Sequence, residues 1–300
     1  AGAKHVLYNL FQVLIDSGDE VLIPSPYWVS YPEQVRIAGG VPVIIPGSQE
    51  SNFKITKNQI EKLITDKTKA IVLNYPSNPT GTTYDKEELE GFAEIAIKNN
   101  LIIISDEIYD KIIYREEKHI SFPQLGDEVK ERTILVNGVS KSYSMTGWRI
   151  GYAAGNSNVI SAMNNLCGQS TSNPTSISQM AAIEAFAGPQ EPIQKMLIEF
   201  KERRDFITSA LNEIDGVNCV IPEGAFYVFP DISNFFGKEY NGKKITNSME
   251  ISDFLLDVAK VAVVPGVEFG SDNHIRISYA TSMSDIKEGM ERIKKSLSQL

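Results

Sequence analysis

The sequence predicts an α/β fold in which a mostly parallel sheet is sandwiched by helices and followed by a smaller α+β domain. Three observations lead to this prediction. Short strand-like runs alternate with amphipathic helical stretches over residues 1–190, these runs are apolar at nearly every position, and the alternation ends near Gly188-Pro189. Strands buried on both faces read as apolar runs, and strands that alternate with helices form parallel sheets.

The first part contains six runs rich in β-branched residues, which predict strands at Val21–Ile23, Val41–Ile45, Ala70–Leu73, Leu101–Ile104, Thr133–Val136 and Ile150–Ala154. Helical stretches precede, separate and follow them at Val6–Ile15, Asp85–Lys98 and Asn158–Cys167, respectively. Ligands of such sheets bind at the carboxyl ends of the strands, so residues directly after the runs are the first site candidates. We predict one large domain over residues 1–190.

The second part, residues 191–300, is predicted to form a linker helix and a small C-terminal domain. Its first helix, Pro192–Ile214, carries a charged and therefore solvated face. The remaining predicted elements are strands at Gly216–Val220, Gly224–Phe229, Val261–Val264 and His274–Tyr279, and helices at Met249–Ala259 and from Ser284 onward. The polar segment Gly237–Lys244 is predicted to be a surface loop.

Composition excludes several classes of protein. The 300 residues carry a net charge of −9 with a pI near 5.0, which argues against a nucleic-acid partner. No apolar stretch has the length of a membrane span, so no membrane partner is expected. The three histidines form no cluster and the two cysteines have no metal-binding spacing, so we expect no metal site and a reducing, cytoplasmic setting.

The first candidate residue is Lys141, which closely follows the predicted strand Thr133–Val136 and is surrounded by small hydroxyl residues such as Ser140. Arg149 comes eight positions later. A lysine that is partly desolvated or near another cation keeps an amine neutral enough to attack a carbonyl. An arginine nearby could grip the phosphate of a cofactor. The alternative is a surface loop in which both cations are simply solvated.

Two polar segments follow other predicted strands. Asp106 comes after the strand Leu101–Ile104, where its carboxylate could keep a pyridine nitrogen protonated. The alternative is a salt bridge or a helix cap by Asp106 or Glu107. Asn78 lies in the turn Asn74–Gly81, and the proline after it holds its backbone extended, so its amide could donate to a ring hydroxyl. The alternative for this segment is a plain turn.

Three further segments become site candidates only when they are considered together with those described above. Gly2-Ala3-Lys4 precedes a predicted helix, whose first N–H groups form an anion site strengthened by the helix dipole. Trp28 follows the strand Val21–Ile23 and could stack on a flat ring, or pack in the core. Arg276 alternates with apolar neighbours in the predicted strand His274–Tyr279, and is either an exposed strand residue or a bidentate clamp for a carboxylate.

Together these segments resemble the class I aminotransferases of fold type I, which depend on pyridoxal 5′-phosphate, over nearly the whole chain. The signatures that carry the resemblance are Asn78-Pro79-Thr80-Gly81, Ser105-Asp106-Glu107-Ile108-Tyr109, Ser140-Lys141 and Gly147-Trp148-Arg149. Ser25–Pro32, which reads SPYWVSYP, and Ala225–Val228 are most similar to the bacterial-type aspartate aminotransferases, some of which also act on prephenate.

The resemblance implies a role for each candidate residue. Lys141 would form the Schiff base with the cofactor and later move the substrate α-proton. The cofactor-binding residues implied are Gly2, Ala3, Trp28, Asn78, Asp106, Tyr109, Ser140 and Arg149: Asp106 at the pyridine nitrogen, Asn78 and Tyr109 at the ring oxygen, Trp28 stacked on the ring, and the others at the phosphate. Arg276 would bind the substrate α-carboxylate with the help of Asn78 and Trp28. Lys4 would contact either the distal carboxylate of aspartate or the phosphate.

The resemblance also implies an assembly and an activity. Family members have a segment before the residues that match Ala1, so we expect this sequence to be part of a longer chain, and their sites lie at a homodimer interface. The implied reaction is L-aspartate plus 2-oxoglutarate to oxaloacetate plus L-glutamate. Alternatives are another specificity (prephenate, aromatic amino acids, alanine, or a lyase reaction) and a non-catalytic cofactor-binding module. A Rossmann dehydrogenase is disfavoured because no GxGxxG follows any predicted strand.

Overall fold

The computed structural model describes all 300 residues, and its larger sheet has six strands. These strands are β1 Glu20–Ser25, β2 Val41–Pro46, β3 Thr68–Asn74, β4 Ile102–Asp106, β5 Thr133–Gly138 and β6 Gly151–Ala154. Their spatial order is β2-β1-β3-β4-β5-β6, and every neighbouring pair is parallel except β5 and β6. The mostly parallel sheet and all six predicted strands are confirmed.

Seven helices belong to the same part of the chain: α1 Gly2–Leu14, α2 Ser30–Ile37, α3 Lys57–Leu63, α4 Lys86–Lys98, α5 Asp127–Arg132, α6 Ser157–Gly168 and α7 Ser176–Ala187. They cover both faces of the sheet, as alternating side chains of one strand show. Val21 and Ile23 pack in a core cluster with α1, whereas Leu22 packs on the other face in a cluster with α4. The sandwich of helices around the sheet is therefore confirmed.

The rest of the chain begins with the long helix α8, Glu191–Asn212. The elements that follow are β7 Tyr227–Val228, β8 Glu239–Tyr240, β9 Lys243–Lys244, α9 Ser248–Phe254, β10 Val264–Pro265, β11 Ile275–Ser278 and α10 Met283–Leu297. Strands β10, β11 and β7 form a three-stranded antiparallel sheet, in that order. The core on this sheet also takes in Ile108, Tyr109 and Ile112 from the segment after β4, so the two parts of the chain share packing.

Two predicted strands of this second part pair over a shorter extent than predicted. Within Gly216–Val220 only Asn218 forms a β-bridge, to Asp231, because the backbone N–H and C=O of Cys219 bond to the side chain of Asn212, at 2.8 and 3.0 Å. Within Val261–Val264 only Val264 pairs, as part of β10, because the N–H of Val261 donates to Leu255 O at 3.2 Å and so closes the π-helical turn after α9. Satisfied backbone groups have no need of a sheet partner.

Two other predicted segments of the second part have different secondary structure over some of their residues. Only Tyr227 and Val228 of the predicted strand Gly224–Phe229 pair in the sheet, because Ala225 N donates to Ile112 O at 3.0 Å. The predicted loop Gly237–Lys244 contains the hairpin of β8 and β9. Asn241 and Gly242 form its turn with φ of 49° and 76°, the left-handed conformations that an Asn-Gly hairpin turn requires.

None of the helices combines the length and the apolar character that crossing a membrane requires.

Candidate active site

A cavity of about 240 Å³ opens at the carboxyl ends of the central strands. Every residue predicted for the site lines it except Gly2, which lies directly behind Arg149. The cavity is lined by Ala3, Lys4, Trp28, Tyr31, Asn74, Asn78, Asp106, Ile108, Tyr109, Ser140, Lys141, Thr146, Arg149, Tyr227 and Arg276. These residues come from both parts of the chain, so the site depends on the contact between them.

The acidic group of the cavity is Asp106, the last residue of β4, which is only 3% exposed. Burial raises its pKa to about 6, whereas hydrogen bonds from Tyr31 Oη to Oδ2 (2.7 Å) and from Ile108 N to Oδ1 (3.2 Å) oppose the rise. A buried carboxylate with two donors is a ready partner for a cationic ring nitrogen. The alternative of a salt bridge applies to Glu107, whose Oε2 is 2.8 Å from His119 Nε2, whereas Asp106 is part of no ion pair in the structure.

Lys141 has both features that the sequence analysis required of a reactive lysine. Burial is the largest cause that lowers its pKa, and the positive charges of Arg276 and Arg149 lower it further. Its ammonium nitrogen lies 5.4 Å from the ring centroid of Phe226 and 5.8 Å from that of Tyr109. The alternative of a solvated surface loop is therefore wrong for this lysine.

The anion-binding end of the cavity is formed by Arg149 and the first turn of α1. Arg149 has a left-handed backbone with φ of 56°, and its guanidinium donates to Ala1 O at 3.1 Å and Thr146 O at 2.8 Å. Gly2 has a φ of +75°, and a Cβ on it would overlap the guanidinium, with Cζ only 2.8 Å away. Only glycine lets this arginine lie against the helix start, where free N–H groups favour an anion.

A second arginine, Arg276 of β11, lies at the opposite end. Its Nη1 donates to Asn78 Oδ1 at 2.8 Å, and Asn78 N in turn donates to Asn74 Oδ1 at 2.9 Å. Its guanidinium carbon is 4.5 Å from the ring centroid of Tyr227 and 4.9 Å from that of Phe269. Its Nε is buried without a hydrogen-bond partner, which leaves a donor available for a carboxylate. The alternative of an exposed strand residue is wrong.

Trp28 and Lys4 form one wall of the cavity. The indole packs edge-on against Tyr31 with ring centroids 5.3 Å apart, and the Lys4 ammonium lies 5.0 Å from the Trp28 ring centroid. Trp28 thus lies at the edge of the core and faces the cavity as well. The position of Lys4 is compatible with both contacts that the sequence analysis left open for it.

Sequence reasoning did not name five of the cavity residues as site candidates: Tyr31, Asn74, Ile108, Thr146 and Tyr227. Tyr31 follows Trp28 by three positions at the start of α2, and residues at that spacing on a helix are neighbours, so this signal could have found it. Tyr227 lies in the segment Ala225–Val228 that contributed to the resemblance, but nothing local indicates its partner. Tyr227 Oη is 2.9 Å from Tyr109 Oη, a contact between residues 118 positions apart in sequence.

This fold and site define a cofactor-dependent enzyme: a desolvated lysine stands between a buried carboxylate and two arginines at the carboxyl edge of an α/β sheet. The family model for aminotransferases of class I and II matches residues 1–293. The chain belongs to this family.

Curated relatives agree with this assignment. An aspartate aminotransferase of Bacillus sp. (strain YM-2) is 54% identical over 294 residues, which are 98% of this chain and 74% of the relative. A probable aspartate/prephenate aminotransferase of Rickettsia typhi is 50% identical over 301 residues, covering 100% of this chain and 75% of the relative. The chain thus spans about three quarters of the length of these relatives.

Solved structures have the same fold. The aspartate aminotransferase from Rhizobium meliloti superposes with a TM-score of 0.96 at 42% identity and covers 100% of this chain and 75% of its own. An aromatic aminotransferase from Pyrococcus horikoshii OT3 superposes with a TM-score of 0.92 at 38% identity, covering 99% of this chain and 78% of its own. The same architecture therefore occurs in proteins named for different substrates.

Proposed function

We propose that this protein transfers the amino group of L-aspartate to 2-oxoglutarate, giving oxaloacetate and L-glutamate, with pyridoxal 5′-phosphate as cofactor. The observation that carries the proposal is the position of Lys141, whose amine is desolvated between an anion-binding arginine at each end of the cavity. The names of the curated relatives support aspartate as the amino donor.

The donor set of the cavity fits the cofactor. Arg149 and the first N–H groups of α1 suit a phosphate dianion, and the space that Gly2 leaves is what lets them converge. Asp106 suits the pyridine nitrogen, Tyr109 and Asn78 suit the ring oxygen, and Trp28 offers a flat face for the ring. When bound, pyridoxal phosphate supplies an aldehyde that condenses with amines and a ring that withdraws electrons from the α-carbon.

The protein's own groups then account for the remaining chemistry. Asp106 holds a proton on the ring nitrogen, because a carboxylate in this buried position is stabilised by a cation beside it. Arg276 and Asn78 fix the substrate α-carboxylate and so orient the bond from the α-carbon to its hydrogen. Lys141 Nζ takes that proton and returns it, since its lowered pKa leaves part of the amine neutral.

A homodimer is part of the proposal, and helix α7 supports it. This helix exposes four large apolar side chains, with exposed fractions of 74% for Ile177, 65% for Met180, 56% for Ile183 and 45% for Phe186. Exposed apolar surface concentrated on one helix marks a contact with another protein surface. We propose that a second copy of this chain covers it. The division into domains at residue 190 stays a prediction.

The test is the absorbance spectrum of the purified protein with pyridoxal phosphate, before and after addition of aspartate. We expect a visible band of lysine-bound cofactor that aspartate bleaches, and no such band in Lys141→Ala. If aspartate leaves the band unchanged but an aromatic amino acid, the amino product of prephenate or alanine bleaches it, the protein is an aminotransferase with that compound as its amino donor. A band that no amino acid changes would favour a cofactor-binding module.

A missing band in the wild type would overturn the proposal if it is also missing in a chain extended at its N-terminus to the full length of the relatives.

A further inference from the structure

Tyr227 touches both ends of the proposed reaction centre with one side chain. It lies in β7 beside β11, the strand of Arg276, and is 6% exposed. Its hydroxyl is 2.9 Å from that of Tyr109, and the guanidinium carbon of Arg276 lies 4.5 Å from its ring centroid. The group proposed for the cofactor ring oxygen and the group proposed for the substrate carboxylate therefore meet on Tyr227.

The hydrogen bond between the two tyrosines has a direction once a ligand occupies the cavity. Each hydroxyl has one proton to donate, and Tyr109 is the only hydrogen-bond partner of the Tyr227 hydroxyl in the structure. If Tyr109 donates its proton to the cofactor ring oxygen, Tyr227 must donate to Tyr109. A hydroxyl that accepts one hydrogen bond becomes a stronger donor in the next, so Tyr227 strengthens the bond to the ring oxygen.

Arg276 acts on the hydroxyl of Tyr227 through the tyrosine ring. A guanidinium over the face of a phenol favours the electron-rich, deprotonated form, and the charge of Arg276 lowers the pKa of Tyr227 against the larger effect of burial, which raises it. The O–H of Tyr227 is thus a stronger donor while Arg276 is unpaired. A substrate carboxylate on Arg276 neutralises this charge and weakens the donor.

We propose that Tyr227 is a positioning residue that couples carboxylate binding at Arg276 to the hydrogen bond between Tyr109 and the cofactor ring oxygen. This inference rests on the proposed function. It deepens that function because it gives the site a means of sensing the substrate carboxylate before any proton is moved. Removing either hydroxyl interrupts this tyrosine pair and leaves the contact of Arg276 with Asn78 in place.

The experiment is a pH titration of the visible absorbance of the holoenzyme, which follows the proton shared between the Lys141 nitrogen and the cofactor. A strong donor on the ring oxygen stabilises its negative charge and lowers the titration midpoint. We therefore expect Tyr227→Phe to raise the midpoint by about half a pH unit, and Tyr109→Phe to raise it by more. The double variant is expected to match Tyr109→Phe, because Tyr227 acts only through that residue.

Tyr279→Phe is the matched control. Tyr279 is also buried in the same part of the chain, but its hydroxyl bonds to Tyr114 Oη and Ala225 O, at 3.2 and 3.3 Å, and lies outside the cavity. We expect this variant to lose some thermal stability without moving the midpoint. An equal shift in Tyr279→Phe would show that the effect is structural and would overturn the inference.

A second measurement needs no change at Tyr227. Succinate, a dicarboxylate without an amino group, is expected to raise the midpoint of the wild type, and to raise it less in Tyr109→Phe. Equal succinate shifts in these two proteins would overturn the coupling, as would a wild-type midpoint in Tyr227→Phe. A wild type that forms no visible band at all would instead contradict the proposed function itself.

Discussion

Tyr31 Oη donates a 2.7 Å hydrogen bond to Asp106 Oδ2, and both side chains are buried at the base of the cavity. Burial alone pushes Asp106 toward its neutral form, and this hydrogen bond is the largest effect that opposes it. The balance between these two effects decides over which pH range Asp106 can hold a proton on a ring nitrogen. We therefore predict that Tyr31 sets the acid limit of cofactor binding.

Tyr31→Phe is expected to move that limit upward. In the cofactor-free protein Asp106 has a raised pKa of about 6, so affinity for pyridoxal phosphate should fall as the pH decreases through this value. A hydrogen bond to a charged group contributes about 1.5–3 kcal/mol, so its loss should raise the midpoint by about one pH unit or more. The measurement is the cofactor dissociation constant between pH 5 and 8 by fluorescence quenching. A midpoint unchanged from wild type would rule out this role for Tyr31.

Asp106→Asn is expected to make the cofactor-free protein more stable while it abolishes transamination. The folded-state pKa of about 6 lies above the ordinary value of 3.8, so the folded state binds the proton more tightly and loses stability as pH rises between these values. At pH 8 the charged carboxylate therefore lowers the free energy of unfolding by roughly 2–3 kcal/mol. A neutral amide in its place does not have this effect. Urea unfolding should show a difference of this size at pH 8 and almost none at pH 4. A less stable variant at pH 8 would contradict the argument.

Gly2→Ala tests the anion-binding end. A Cβ at this residue would overlap Arg149, and the φ of +75° strains any residue but glycine. We expect the guanidinium to shift and the affinity for pyridoxal phosphate to fall roughly tenfold, from a cost of about 1–2 kcal/mol. Gly168→Ala is the control, because it has open space and lies at the end of α6. Equal affinities of the two variants would remove Gly2 from the site.

The central sheet could be predicted from sequence because its strands are apolar runs between polar loops. In the second part β7 and β11 lie within predicted strands, whereas Gly216–Val220 forms only an isolated bridge, since the side chain of Asn212 takes the backbone hydrogen bonds of Cys219. Helix α7 was missed for another reason. Its large apolar residues are exposed, so their pattern does not show how the helix packs on its own chain.

The residues of the candidate site also divide into those that the sequence predicts and those that it does not. Lys141, Asp106 and Asn78 each follow a strand closely, and position after a strand is visible in sequence. Tyr31 and Tyr227 act through partners 75 and 118 positions away, at distances that only the folded chain reveals. Local patterns therefore predict which residues enter the cavity, but not which of them adjust the properties of the others.

Lys4→Ala separates the two contacts left open for Lys4. If the ammonium binds the distal carboxylate of aspartate, the variant should raise KM for aspartate by roughly 10–100-fold, the loss of one charge-assisted hydrogen bond, and leave KM for an aromatic amino acid unchanged. If it binds the phosphate, the affinity for the cofactor should fall, and the activity with both amino donors should decrease equally. Steady-state kinetics with both donors, together with a cofactor titration, distinguishes these results. No change in any of them would exclude Lys4 from the site.

Ile183→Asp tests whether a second copy of the chain covers α7. Ile183 is 56% exposed in the isolated chain, so the substitution leaves the fold intact but places a charge in the proposed interface. A charge without a partner in a buried apolar contact costs several kcal/mol, so we expect the dimer to dissociate into monomers at micromolar concentration. Ile221→Asp is the matched control, because Ile221 is 60% exposed on the other part of the chain. Sedimentation velocity should give a dimer for the wild type and for the control and a monomer for Ile183→Asp. A variant that sediments as a dimer would place the subunit contact elsewhere on the surface.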